Sequence, residues 1–190
     1  LKGFEGILQV DGYKGYDRLA DGRRAEGGAL QLAFCWAHVR RKLIDARPKA
    51  GSPIVDEALR RIAALYAIEK EIRGQCPDLR RTVRHDRTVP LLETLRIWLT
   101  EQAARLSTKS DLGMAVGYAL DHWQGLVLFA EDGRVEMDSN LIENQIRPVT
   151  LGRKNALFAG HDEGGRSWAR FASVIGTCKL NGVEPYAWLK

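Results

Sequence analysis

Apolar positions recur in two different patterns along this chain. Two runs are short and continuous: Ile7-Leu8-Gln9-Val10, stopped by Asp11-Gly12-Tyr13, and Leu30 to Phe34. Runs of this length bounded by turn residues predict buried strands, the first leaving Asp11 at its carboxyl end. A helical connection lies between them, a short helix at Tyr16 to Leu19 and a Gly/Arg-rich loop from Gly22 to Gly28, so the pair is expected to be parallel. From Ser52 to Glu131 the spacing turns helical. Ile54, Val55, Ala58, Leu59, Ile62, Leu65 and Ile72 form one stripe, with Pro53 at a natural first position behind Ser52. Leu91, Leu92, Leu95, Trp98, Leu99 and Leu106 form a second, broken or kinked near its start by Pro90. Leu112, Ala115, Val116, Ala119, Leu120, Trp123 and Val127 form a third, capped by Ser110. Three amphipathic helices are therefore expected here, with the charge run Arg80 to Arg87 between the first two as a solvated face.

The remaining pattern is again helical. After a brief extended segment from Arg134 to Met137, the stretch Asp138 to Phe158 opens with three good N-cap residues, Asp138, Ser139 and Asn140. On the helix that follows, Asn140, Glu143 and Arg147 share one stripe, and Gly152-Arg153-Lys154 puts two cations in a turn past Pro148. Gly160 and Asp162 precede a helix expected to bury Trp168, Phe171, Ala172, Ile175 and Cys178 and to stop at Asn181-Gly182. Pro185 to Leu189 makes a short closing helix. The fold class is α/β, mostly helical, with two short parallel strands. No internal repeat is present.

Charge changes this picture modestly. Lys and Arg number 29 against 24 Asp and Glu, giving +5 and a pI near 9.2, a balance that favours a polyanionic partner. Cys35, Cys76 and Cys178 are an odd, widely spaced set without paired C-x-x-C spacing, which suggests neither a disulfide framework nor a four-cysteine zinc site and points to a reducing, cytoplasmic compartment. No apolar run approaches the roughly 20 residues of a membrane span, and Leu1 to Ile7 does not resemble a signal peptide. The chain starts without an initiator Met, so a piece of something longer is expected.

Single motifs leave alternatives open. An isolated Asp-Gly is more often a turn hydrogen-bonding its own backbone than a ligand, although the carboxyl end of a parallel strand is where open α/β sheets place ligands. Cys35 and His38 offer half a zinc site, but with no matching pair downstream a buried structural Cys and a satisfied His are the stronger reading.

In combination the motifs are specific. Asp11-Gly-Tyr-x-Gly-Tyr16, Cys35-Trp-Ala-His-x-Arg-Arg-Lys42, Asp138-x-Asn-x-x-Glu-Asn144, Arg147-Pro-x-x-Leu-Gly-Arg-Lys-Asn155, Leu157-Phe-Ala-Gly160 and Lys179-Leu-Asn-Gly-Val-x-Pro185 occur in this order over nearly the whole chain. The set resembles the bacterial transposases of the insertion-sequence-66 family, which carry an acidic-triad (DDE) catalytic domain with a ribonuclease-H-like fold. The resemblance implies DNA cleavage and strand transfer at transposon ends of double-stranded DNA, with Mg²⁺ or Mn²⁺ held by carboxylates. It assigns Asp11 as the second acid and metal ligand and Glu143 as the third. Residues 52–131 become a helical insertion, while 1–51 and 132–190 form a partial, truncated ribonuclease-H-like domain.

The resemblance also marks a departure. The family's first acid lies upstream of anything here, and Glu5 stands at the wrong place to replace it. Weak or single-metal binding and no strand transfer by this polypeptide alone are expected, together with self-association through the open edge of the first strand or refolding of the N-terminal residues. Arg147, Arg153, Lys154, Arg41 and Lys42 suit DNA phosphates. The broader group carries a basic residue seven positions after the glutamate, where this chain has Thr150. Asn140, Asp138 and His38 are read either as supports for the metal ligands or as structural groups. The competing functional reading is a non-catalytic DNA-binding or assembly module.

Overall fold

The computed structural model describes residues 4–12, 14–20, 30–152 and 160–190. The expected Gly/Arg loop at 22–28, and Arg153 and Lys154 with the turn they were assigned to, lie outside these. Both predicted strands form: β1 (Gly6–Val10) and β2 (Leu30–Phe34) pair parallel, Ile7 opposite Gln31 and Val10 opposite Phe34. A 3₁₀ turn at Lys14–Tyr16 and a one-turn helix α1 (Asp17–Ala20) begin the connection. The chain divides into two compact units, Leu1–Ser139 and Asn140–Lys190.

In the first unit, α2 (Trp36–Asp45) follows β2 directly and buries Trp36, Val39 and Leu43. Next comes α3 (Pro53–Glu71), which starts as its sequence demands, with Pro53 in the first turn and the Ser52 side chain accepting from the Val55 N–H. α6 (Asp111–Asp121) is capped in the same way by Ser110, which accepts from Gly113. The stripes of α2, α3, α5 (Val89–Ala103), α6 and α7 (Trp123–Glu131) close on one another with Met137 as one core. β2 joins this body because α7 lies directly on it. A Cβ at Gly125 would collide with the Phe34 ring and the Leu32 carbonyl, so only glycine allows this approach.

The stretch 52–131 differs from three simple helices in two places. The third stripe is cut at His122, whose φ of −97° and ψ of 9° leave helical geometry, giving α6 and α7. The second is longer than its apolar stripe. It begins as α4 (Pro77–Val83), widens into a π-helical turn at Arg84–Thr88 and continues as α5. Pro90 gives a physical reason: it has no N–H for the Asp86 carbonyl and its ring crowds that position, and a wider turn relieves both.

That turn corrects the expectation of a solvated charge run in part: Arg81, His85, Asp86 and Arg87 are exposed, but Arg80 and Arg84 are not. Arg84 is fully buried and Arg80 is 8% exposed. Arg84 donates twice to Glu69 of α3, Nε to Oε1 at 2.7 Å and Nη2 to Oε2 at 2.6 Å. Its Nη1 donates to the carbonyls of Phe129, Asp132 and Val135 at 2.6, 3.2 and 3.0 Å. A guanidinium at the end of α7 thus satisfies carbonyls that the helix leaves open.

The second unit contains α8 (Asn140–Gly152), α9 (Asp162–Leu180) and α10 (Pro185–Leu189). α9 ends at Asn181-Gly182 as expected: Gly182 has a φ of +66°, and the Val183 N–H reaches back to the Cys178 carbonyl at 2.8 Å. Its expected buried face is a correction. Cys178 is buried, but Phe171 is 56% exposed and Trp168, Ala172 and Ile175 are half-covered.

Candidate active site

Asp11 leaves β1 at its carboxyl end, beside the point where β2 ends in Phe34 and Cys35 begins the next turn. Gly12 turns the chain with a φ of +85°, a conformation that glycine adopts without strain. Tyr118 from α6 donates its hydroxyl to the Asp11 carbonyl at 3.2 Å, and Lys42 of α2 places its ammonium 4.6 Å from the centre of the Tyr118 ring. Asp11, Arg41 and Lys42 are exposed, and Cys35 is fully buried. Burial, followed by the nearby Cys35 and Asp11, pushes the Tyr118 hydroxyl up, so it stays a neutral donor.

Cys35 has a structural task that agrees with its stronger sequence reading. It precedes α2, and its Sγ accepts the Ser139 N–H at 3.3 Å. Beside it, the Trp36 N–H donates to the Met137 carbonyl at 3.2 Å, while the Trp36 indole donates to Leu126 at 2.8 Å. His38 lies half-buried on the same helix.

These bonds belong to a larger set holding residues 132–139, the segment that leads to α8. The extended conformation expected at Arg134 to Met137 is replaced by a turn, because Arg84 gathers the carbonyls of Asp132 and Val135 onto one guanidinium. Arg80 grips Glu136 through both carboxylate oxygens at 2.8 and 2.9 Å, and the Gln9 amide of β1 donates to the Glu136 carbonyl at 2.8 Å. Asp138 accepts from the Tyr66 hydroxyl of α3 at 2.8 Å. Burial first, then this carboxylate, drive the Tyr66 hydroxyl far above its ordinary range. Asp138 is thus tied to the core of the first unit.

Asn140, Glu143 and Arg147 lie on α8, with Glu143 in the first turn, where the helix dipole favours a carboxylate. Their spacing puts them on one helix face, as the sequence predicted. The Thr150 hydroxyl turns back to the Arg147 carbonyl at 2.9 Å. Asp11, His38, Arg41, Lys42 and Asp138 therefore belong to the first unit, and Asn140, Glu143 and Arg147 to the second.

Sequence reasoning missed Tyr118, Tyr66, Glu69 and Arg84. Two of these left signals. Glu69 falls where the stripe Ile62, Leu65, Ile72 calls for an apolar residue, which marks a buried acid needing a partner. Tyr118 is an aromatic out of phase with its own helix's stripe, which marks a second contact.

Comparison with known proteins covers the same length of chain as the motifs. The family model described as Transposase IS66 family matches residues 1–167, and that of the IS66 C-terminal element matches residues 173–190. Three curated relatives come from Sinorhizobium fredii (strain NBRC 101917 / NGR234). Uncharacterized protein y4jD is 44% identical over 190 residues, covering 100% of this chain and 37% of that protein. Uncharacterized protein y4qI is 41% identical and uncharacterized protein y4hP 38%, again across 100% of this chain and over 35% and 36% of theirs. The chain spans a little over a third of the length of these relatives. No solved structure matches it.

Proposed function

Since the chain belongs to the IS66 family of transposases, we propose that it is part of a ribonuclease-H-like catalytic domain that cleaves and transfers DNA strands, with Asp11 and Glu143 as two of its acids. The observation that supports this most is the place of Asp11. A carboxylate leaves the carboxyl end of a parallel strand, where such sheets hold ligands, on a turn that a neighbouring helix pins. The donor chemistry fits the metal the family uses: Asp11 and Glu143 offer only carboxylate oxygens, which suit Mg²⁺ or Mn²⁺. Those two residues would hold the cation, which supplies charge neutralisation at the phosphodiester.

The chain's other residues have simpler tasks in this reading. Lys42 and Arg41, exposed on α2, and Arg147 on α8 attract and orient the DNA backbone, and Arg153 and Lys154 carry the same charge. Asp138, held by Tyr66, supports the site from the first unit. The purified 190-residue chain is expected to give no strand-transfer product with either metal. A polypeptide extended to the relatives' length is expected to give product, and Asp11→Asn and Glu143→Gln should each abolish it. Equal activity in both variants and the parent would remove the assignment.

The exposed apolar faces of the second unit favour one further reading, an assembly module that binds DNA without chemistry. The same two substitutions separate the readings, since an assembly module would tolerate both.

A further inference from the structure

Tyr118 links the helical stretch to the Asp11 turn. Tyr118 donates to the Asp11 carbonyl at 3.2 Å, and its ring is itself held from two sides. His122, one turn further on, stacks against it at 4.2 Å with 30° between the planes, and Lys42 lies 4.6 Å from the ring centre. His122 donates from Nδ1 to the Tyr118 carbonyl at 2.8 Å and meets Phe34, the last residue of β2, edge-on at 4.6 Å. A Cβ at Gly12 would collide with the Tyr118 hydroxyl, so the glycine is required by this contact as well as by its φ. A tyrosine that only filled space would not need its ring fixed by Lys42 of α2 and by His122, which stands between α6 and α7 and is set against β2.

We propose that Tyr118 is a positioning residue for Asp11. By holding the Asp11 carbonyl it fixes the peptide between Asp11 and Gly12, and so the direction in which the carboxylate leaves the strand end. The inference rests on the reading of Asp11 as a metal ligand. It also gives the helical stretch a role at the site: α6 supports the turn on which the acid stands.

The test is an NMR measurement on the isotope-labelled 190-residue chain, comparing Tyr118→Phe and Asp11→Asn with the parent. Tyr118→Phe keeps the ring and its stacking and removes only the hydroxyl. It should lower the order parameter of the Gly12 amide, leave Leu32 and Val116 unchanged, and raise the Mn²⁺ concentration that half-broadens the Gly12 resonance about fivefold, the loss of one hydrogen bond. Asp11→Asn should remove the broadening and leave Gly12 ordered. Unchanged order and an unchanged Mn²⁺ titration in Tyr118→Phe, with broadening lost in Asp11→Asn, would overturn the role of Tyr118 and leave Asp11 standing. Broadening that survives Asp11→Asn overturns the metal reading instead, and the Gly12 order parameter then decides the positioning role by itself.

Discussion

The two units of this chain use their apolar residues in opposite ways. In Leu1–Ser139 the stripes of five helices close on one another, and Trp36, Leu43, Leu65, Val116 and Leu126 are removed from water. In Asn140–Lys190, among the described residues, Cys178 is the single buried apolar side chain, while Ile142, Ile146, Phe171 and Trp188 are each more than half exposed. Both regions carry good helical signals, caps included. The difference shows that capping and periodicity make a helix legible but do not provide something for its apolar face to pack against. A unit of this size with so little buried is marginal by itself, whereas the first unit carries its own core.

The largest effect should come from the buried ion pair that is peculiar to the first unit. Arg84→Ala leaves Glu69 buried without its bidentate partner and frees three carbonyls, so it should cost about 3–5 kcal/mol in urea unfolding. Combining Glu69→Leu with Arg84→Met should recover only part of this, because the carbonyls of Phe129, Asp132 and Val135 remain unserved. Hydrogen exchange adds the comparison: α3, α5 and α7 should lose protection while α9 is unchanged. Equal loss in both units would show that their stabilities are one.

A smaller effect tests how tightly the first unit is packed. Gly125→Ala forces a methyl between α7 and β2, where the Phe34 ring and the Leu32 carbonyl already stand, and overpacking of this kind costs about 1–3 kcal/mol. Gly176→Ala on α9 should cost less, since the atom facing it is the far end of the Gln145 side chain, which can move.

These two sites also show what could be read beforehand. The strands, the Asp11-Gly12 turn, the caps at Ser52 and Ser110 and the stop at Gly182 are local chemistry, and each stands where the residues put it. Within the charge run Arg80 to Arg87, Arg80 and Arg84 misled because solvation was inferred from composition, while the informative residue was Glu69, a distant acid in an apolar phase. Phe171 misled for the complementary reason: periodicity reports that a helix has an apolar side and says nothing about what covers it. For the candidate site, motif order named Asp11 and Glu143, the two acids proposed above. Tyr118 signalled a second contact by standing out of phase with its stripe, but its partner was not legible, because 107 residues of sequence separate the two and no local pattern links them.

Acid should weaken the first unit. Asp132 is held at about 2 by hydrogen bonds from the Arg134 side chain and then its backbone N–H, and Glu57 at about 2 by Arg60 and Arg61. Both folded values lie below the ordinary 3.8 and 4.5, so the stability they add is complete above those values and is lost as pH falls toward about 2. Unfolding followed through the Trp36 and Trp123 fluorescence of the first unit should weaken across that window. Asp132→Asn should remove its own share, about 1 kcal/mol or less for so accessible a pair. A pH-independent transition would show that these pairs persist in the unfolded chain.

The smallest expected effect on stability is the one that bears most on the second unit. Truncating a buried aromatic costs about 3–5 kcal/mol, whereas a substitution on an open surface changes stability by about 0.5 kcal/mol or less. Phe171 is 56% exposed, so Phe171→Ser belongs to the second class despite lying in phase with the apolar side of α9. What it should change is association: an exposed aromatic side chain, in a unit that also exposes Ile142, Ile146 and Trp188, invites a partner, and a polar residue in its place should shift sedimentation toward the monomer. A cost of 2 kcal/mol or more would mean that α9 packs far more tightly than its exposure indicates. An unchanged stability with unchanged sedimentation would mean that these apolar side chains do not drive contact between copies. Unchanged stability with a loss of large species is the outcome expected of a unit whose helices are complete and whose core is supplied from outside.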